Sequence, residues 1–203
     1  MKYCITTRSR SEDLYALSSS FFPDSVCRHR FVNYDHWSDA LRYLKDIQNL
    51  DYDFIINIDE DCFVYDWERL ESFIKPGITL SGMPDSLDFC SHRNNAKFVH
   101  NPFFNIFIPS RVRKVLLNSV GFIKYASTGF VVPGCAFHEP FNCFFYGLRK
   151  EPRIDILCEN MKDGISTNIG GFALHSWYSR EFEGSHRDRI LNIYNDANNM
   201  RSI

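Results

Sequence analysis

No stretch of this chain stays apolar for anything near the roughly 20 residues that span a bilayer, and its formal net charge is only -2 over 203 residues. The first absence argues against a transmembrane helix. The second argues against a polycation that holds nucleic acid through bulk charge. No Cys-x-x-Cys pair occurs among Cys4, Cys27, Cys62, Cys90, Cys135, Cys143 and Cys158. Their scatter and odd number speak against structural zinc and a disulfide framework. Free thiols in a reducing compartment are expected, and with them a cytoplasmic protein. The N-terminus, Met1-Lys2-Tyr3-Cys4-Ile5-Thr6-Thr7, is strand-like and too short to read as a signal peptide. Repeats, low-complexity tracts and Pro/Gly/Ser linkers are also missing, so one domain over 1–203 is expected, long enough for a substantial core.

What the chain does have is the apolar run Phe54-Ile55-Ile56-Asn57-Ile58 followed by Asp59-Glu60-Asp61. A buried strand that ends in carboxylates presents them at a sheet edge, and ligands of open α/β sheets bind outside the carboxyl ends of the strands. Two carboxylates separated by one residue repel unless a cation lies between them. Oxygen ligands without thiolate favour Mg²⁺ or Mn²⁺. A polar turn with no ligand is the plainer alternative.

Around this run the pattern alternates. Tyr3 to Thr7 reads as a strand, then a helix capped by Ser11 with Leu14, Leu17 and Phe21 at helical spacing. Cys27 to Val32 reads as a strand, and Asp35 can cap a helix bearing Trp37, Leu41, Leu44 and Ile47. After the acidic triplet, Asp66 opens a helix with Trp67, Leu70 and Phe73, which Pro76-Gly77 stops before a short strand from Ile78 to Ser81. This β-α-β-α-β-α-β order predicts an α/β fold with a mostly parallel sheet and helices on both faces. The second half is less regular: a strand from Phe103 to Ile108, a helix from Pro109 to Leu117, a helix from Pro140 to Leu148, a strand from Gly171 to Trp177, and a last helix with Ile190, Tyr194 and Ala197. Arg111, Arg113 and Lys114 at the start of one helix read as a solvated face, with an anionic acceptor or a peripheral membrane contact as the alternative.

The order of these features resembles the GT-A glycosyltransferases, nucleotide-sugar-dependent enzymes with a D-x-D metal motif after a strand of a Rossmann-like half. The resemblance covers most of the chain: the strand Tyr3 to Arg8, the triplet Asp59-Glu60-Asp61, the segment Asn101-Pro102-Phe103-Phe104-Asn105-Ile106-Phe107-Ile108, the helix opening His138-Glu139-Pro140-Phe141, and the late strand Ala173-Leu174-His175-Ser176-Trp177. It implies a nucleotide-sugar-binding half over about 1–100 and an acceptor half over about 101–203. It also implies Mn²⁺ or Mg²⁺ held by Asp59, Asp61 and His175, with the nitrogen ligand tilting the choice toward Mn²⁺.

The donor implied is a nucleotide diphosphate sugar, foremost a UDP-sugar, and the acceptor a hydroxyl on a glycan, with inversion. Thr6, Thr7 and Arg8 are candidates for base or phosphate contacts. Asp59 is a candidate for the ribose as well as the metal, and Arg180 for a bidentate clamp on the diphosphate. An inverting transfer needs a general base, and the resemblance points to Glu139, with Asp85 as competitor and Asp155, Glu159 and Asp163 as further carboxylates. Trp177 and Tyr178 could stack on a sugar, although aromatics so placed are more often core.

Two other classes stay open. Asp59-Glu60-Asp61-Cys62-Phe63 partly matches the D-x-D-x-T/V of haloacid-dehalogenase-like phosphatases, with Ile78-Thr79-Leu80-Ser81 as a second motif. Phe63 departs from the small residue expected there, and no later acidic pair completes a Mg²⁺ site. The third class is a carbohydrate- or nucleotide-binding module without turnover.

Overall fold

The computed structural model describes residues 1–34, 39–84, 100–118, 148, 150–177 and 182–201. Within them the chain runs β1 Tyr3–Arg8, α1 Glu12–Ser19, β2 Cys27–Phe31, α2 Asp39–Ile47, β3 Phe54–Ile58, β4 Cys62–Val64, α3 Trp67–Glu71, β5 Leu80–Pro84, β6 His100–Phe107, α4 Pro109–Asn118, β7 Arg153–Asp155, β8 Cys158–Asn160, β9 Ser166–Ile169, β10 Ala173–Ser176 and α5 Gly184–Arg201. Two of the three predicted caps lie among the described residues and form: Ser11 accepts from the Leu14 amide, and Asp66 from the Arg69 amide at 2.9 Å.

The large sheet has the order β2-β1-β3-β6-β5-β7. Its β1–β2 and β1–β3 pairings are parallel, as the alternating pattern predicts, and so is the pairing of β5 with β7, a strand the pattern did not show. Strand β6 enters between β3 and β5 in the opposite direction and makes the sheet mixed. All five residues of β3 are buried, because both of its faces are covered. On one face Phe54, Ile56 and Ile58 join Ile5, Ile106, Leu70 and Ile74 in one core. On the other, Asn57 meets Tyr43 of α2.

A second, four-stranded sheet, β4-β10-β9-β8, is antiparallel throughout. Its strands alternate. Cys62, Val64 and Ala173 point into the core beneath the large sheet. Phe63 and Leu174 point the other way, against Leu14 and Phe21 from the α1 region and Ile190, Ile193 and Ala197 of α5. The small sheet is thus sandwiched between the large sheet and a helical layer, which explains why three-residue β4 is wholly buried. Of this sheet only β10 was expected from the sequence. The predicted helix from Pro140 to Leu148 and the cap Asp35 lie outside the described residues, apart from buried Leu148 itself. No helix among the described residues is long and apolar enough to cross a membrane.

The basic start of α4 is exposed, as a solvated face would be, yet two of its side chains reach back to the chain. Arg111 donates to the carbonyl of Gly77 at 2.7 Å, and Arg113 to the carbonyl of Gln48 just beyond α2. These bonds satisfy carbonyls where chain segments end, so the two arginines tie α4 to its neighbours.

Candidate functional site

Strand β3 ends at Ile58, and the chain turns at once. The Asp59 amide donates to the Phe103 carbonyl at 2.8 Å, and the Cys62 amide donates to the Asp59 carbonyl at 3.1 Å. The turn delivers the chain into β4, which pairs antiparallel with β10 in the register Cys62 to His175. The Ser176 amide donates to the Asp61 carbonyl at 3.1 Å and extends that pairing by a step. Asp61 and His175, 114 positions apart in the chain by subtraction of their numbers, are thereby neighbours. Asp61 Oδ1 lies 3.4 Å from His175 Nε2, and both side chains are largely buried.

The imidazole is held by aromatic packing. It stacks on Phe103 at 3.8 Å with 6° between the planes, and meets Trp177 edge-on at 4.9 Å. Its Nδ1 is buried with no hydrogen-bond partner among the described residues. A 3.4 Å gap exceeds the about 2.7–2.9 Å of a charge-assisted N–H···O bond. It does match two donors each about 2.1 Å from one cation, which sit about 3.0 Å apart at a right angle and about 3.4 Å at the tetrahedral angle. The spacing is therefore that of two ligands on one divalent ion near the tetrahedral angle, wider than the right-angle one. Metal-bound imidazoles usually have an outer partner on the second nitrogen. Here Phe103 and Trp177 fix the ring instead. No group of three His, Cys, Asp or Glu side chains suited to a metal occurs among the described residues, so Asp59 does not complete a triad with Asp61 and His175 there.

Glu60, the middle residue of the triplet, has a role that the sequence did not reveal. Its carboxylate accepts from the Arg10 amide at 3.0 and 3.1 Å and from the Ser11 amide at 3.2 Å. It ties the acidic turn to the loop between β1 and α1 and meets unsatisfied amides at the start of that helix. Burial pushes the Glu60 carboxyl above its ordinary value of 4.5, with the bonds from Ser9, Arg10 and Ser11 opposing. A raised folded-state pKa contributes stability below the ordinary value that is lost as pH rises through the folded one. The melting-temperature difference between the wild type and Glu60→Gln is therefore expected to shift against the wild type as pH rises from about 4.5. Paired thermal melts across that range check this.

The β1 candidates divide by face. Thr6 is fully buried, and its hydroxyl shares a hydrogen bond of 3.1 Å with that of Tyr43, so it faces α2. Thr7 lies on the Ile5 face, buried, with its hydroxyl unpartnered among the described residues. Arg8 is half-buried, two residues beyond Thr6 on the α2 side. Burial raises the pKa of Tyr43, and the charges of Asp59 and Arg8 act on it with opposite sign, so both reach the surroundings of its hydroxyl.

Tyr43 also donates to Asn57 Oδ1 at 2.5 Å, and Asn57 Nδ2 donates to the Pro102 carbonyl at 2.8 Å. The register carries this polar row across the whole large sheet: His29, Thr6, Asn57, Asn105, Gly82 and Asp155 stand side by side on successive strands. Each strand gives up an apolar residue at that level, directly beneath the edge where the acidic turn begins. His100 Nε2 lies 2.8 Å from Asp155 Oδ1 at the far end. Burial lowers the His100 pKa, and the bond from His100 holds the Asp155 carboxyl below its usual range. The arrangement is thus neutral imidazole donating to carboxylate.

Gly82 is the row's tight point. A Cβ there would stand 2.7 Å from Asn105 Oδ1, 2.9 Å from His100 Nδ1 and 3.2 Å from the Phe104 carbonyl oxygen. Gly82→Ala is expected to cost about 1–3 kcal/mol by overpacking, seen as a lowered melting temperature.

Glu139, Asp85, Arg180 and Tyr178 lie outside the described residues. Trp177 is buried and donates to Thr167 Oγ1 at 2.6 Å, so it is core rather than a sugar platform. Asp163 is engaged at its own turn, accepting from the Ile165 and Ser166 amides at 3.0 and 2.9 Å. Asp155 and Glu159 both line an open groove whose lining includes no residue of the acidic turn.

No protein-family model matches the chain, and no curated protein matches it. Among solved structures, A197 from STIV is similar over 87% of this chain and 94% of its own, with a TM-score of 0.47 and 13% sequence identity. A glycosyltransferase involved in the glycosylation of the major capsid of PBCV-1 is similar over 95% of this chain and 98% of its own, with a TM-score of 0.46 and 10% identity. At such identities and scores, neither neighbour says what this chain binds or which of its residues act.

Proposed function

We propose that this chain is a metal-dependent glycosyltransferase that moves a sugar from a nucleotide diphosphate sugar, foremost a UDP-sugar, to a glycan hydroxyl with inversion. The observation that carries the reading is the approach of Asp61 and His175 to 3.4 Å at the end of the buried strand β3. A carboxylate oxygen and an imidazole nitrogen meet there at the spacing of two ligands on one cation, at the sheet edge where such folds bind ligands.

Asp61 Oδ1 and His175 Nε2 would hold the ion, and the nitrogen favours Mn²⁺ over Mg²⁺. When bound, a divalent cation neutralises the charge that develops on a departing diphosphate. Asp59 would take the ion through water or the donor's ribose. Thr7 and Arg8 at the end of β1 would face the nucleotide, whereas Thr6, with its hydroxyl taken by Tyr43, would support them from beneath. Arg180 would clamp the diphosphate, and Glu139 or Asp85 would accept the proton of the attacking hydroxyl. Glu60 would keep the acidic turn against the β1–α1 loop, so that metal ligands and nucleotide contacts stay in register.

The reading is tested by release of UDP from UDP-sugars with Mn²⁺, with Mg²⁺ and with a chelator. Release that needs the ion, fastest with Mn²⁺, is expected. Release indifferent to the chelator would sink the metal assignment.

A further inference from the structure

The chain leaves the large sheet at β7 and enters the small one at β8 with only Ile156 and Leu157 between them. The segment is extended, anchored by the Ile156 amide donating to the Gly82 carbonyl at 2.8 Å and the Gly170 amide donating to the Leu157 carbonyl at 2.8 Å. Its side chains alternate. Ile156 is fully buried in the core, whereas Leu157 is 82% exposed. Asp155, Leu157 and Glu159 together form one wall of a groove of about 470 Å³ at this seam, within the roughly 300–1,000 Å³ of small-ligand sites.

Arg69 and Phe73, from α3 and just beyond it, also line the groove. Arg69 Nε donates to the Gly170 carbonyl at 2.5 Å, which fixes the guanidinium plane. Gly171, at φ +72°, lets that plane lie close, since a Cβ there would stand 3.1 Å from Arg69 Cζ. Asn168 is oriented as well. Its Oδ1 accepts from Tyr65 at 3.2 Å and from the Gly171 amide at 3.1 Å, so its NH₂ remains a donor.

The groove therefore offers donors, Arg69 and Asn168, carboxylate acceptors, Glu159 and the Asp155 oxygen that His100 and Arg153 leave open, and two apolar surfaces, Phe73 and Leu157. Arg153 offsets Asp155 by an ion pair at 3.3 Å, which leaves Glu159 against Arg69 and favours neither an anion nor a cation. A wholly apolar ligand would strip water from all four polar groups without replacing it. A sugar ring answers each: its hydroxyls donate and accept, and its C–H face packs on apolar side chains. We propose that this groove binds one residue of a neutral glycan. As a subsite for the acceptor it rests on the transferase reading, but as a saccharide site it stands on the groove alone.

The test follows the Leu157 methyl and Gly171 amide resonances of the full chain during titration with the methyl glycosides of glucose, galactose, mannose and N-acetylglucosamine, with inorganic phosphate as the anionic control. At least one glycoside is expected to move both resonances. Leu157→Asp and Glu159→Ala, both followed at the Gly171 amide, are each expected to weaken that binding by about tenfold, with Mn²⁺-dependent UDP binding unchanged in both. Saccharide binding without UDP binding would sustain the groove and remove its acceptor role. No response to any glycoside, a response to phosphate alone, or binding that survives both substitutions would overturn the proposal.

Discussion

Asp61→Ala is expected to lower ion-dependent sugar transfer by about 10²-fold or more, while the melting temperature moves by only a few degrees. The first half follows from the charge at stake. Removing one electrostatic stabiliser of a developing anion commonly costs about 10²–10³ in rate, or about 2.7–4 kcal/mol. Among the described residues, Asp61 is one of two side chains that converge on the proposed ion. The second half follows from how the turn is built. The backbone at Asp61 is held by the Ser176 amide and by the turn bond from Cys62 to Asp59, neither of which involves the Asp61 side chain.

His175→Ala is the informative contrast. It removes the nitrogen ligand but also a ring buried against Phe103 and Trp177, so activity and stability should fall together. Rates measured beside thermal melts separate the two variants. If Asp61→Ala left ion-dependent turnover unchanged, the metal assignment would be wrong.

Phe63→Ala is expected to have the largest effect on stability, about 3–5 kcal/mol. At roughly 2–4 °C per kcal/mol for a chain of this size, that means a fall of about 10 °C in melting temperature. Phe63 is fully buried, with Phe21 and Tyr194 rings at 5.8 Å each. It faces the helical layer, while Cys62 and Val64 beside it face the large sheet. Its loss opens a cavity between β4 and the α1 and α5 helices, two residues from Asp61. Nucleotide binding measured well below the new melting temperature should survive, because the register of Cys62 with His175 is set on the other side of the strand. The same packing gives a physical reason for the bulky residue that departs from the phosphatase motif: Phe63 fills a core.

The elements that the sequence made legible carry strong local signals. Ser11 and Asp66 precede apolar residues at helical spacing and cap helices. Phe54 to Ile58 is an apolar run and forms the central buried strand. The meeting of Asp61 with His175 was anticipated from the order of motifs rather than from either residue alone. The small sheet was not legible, because β8 and β9 are short and mostly polar (Cys158-Glu159-Asn160, Ser166-Thr167-Asn168-Ile169) and gain their order from partners rather than from their own pattern. Nor was the direction of β6, since an apolar strand reads alike both ways. Glu60 looked like the spacer between two ligands. Its role depends on amides some fifty positions earlier, a proximity that only the β1–β3 pairing creates. One local clue was available for the polar row: Asn57 interrupts an otherwise apolar strand, and a buried amide needs partners.

The most direct test of the account is calorimetric titration of UDP, with GDP as control, into the protein with and without Mn²⁺, and into Asp61→Ala. The account predicts UDP binding that requires Mn²⁺, exceeds that of GDP and is lost in the variant. Absence of nucleotide binding under every metal condition, or binding that Asp61→Ala leaves intact, would contradict it.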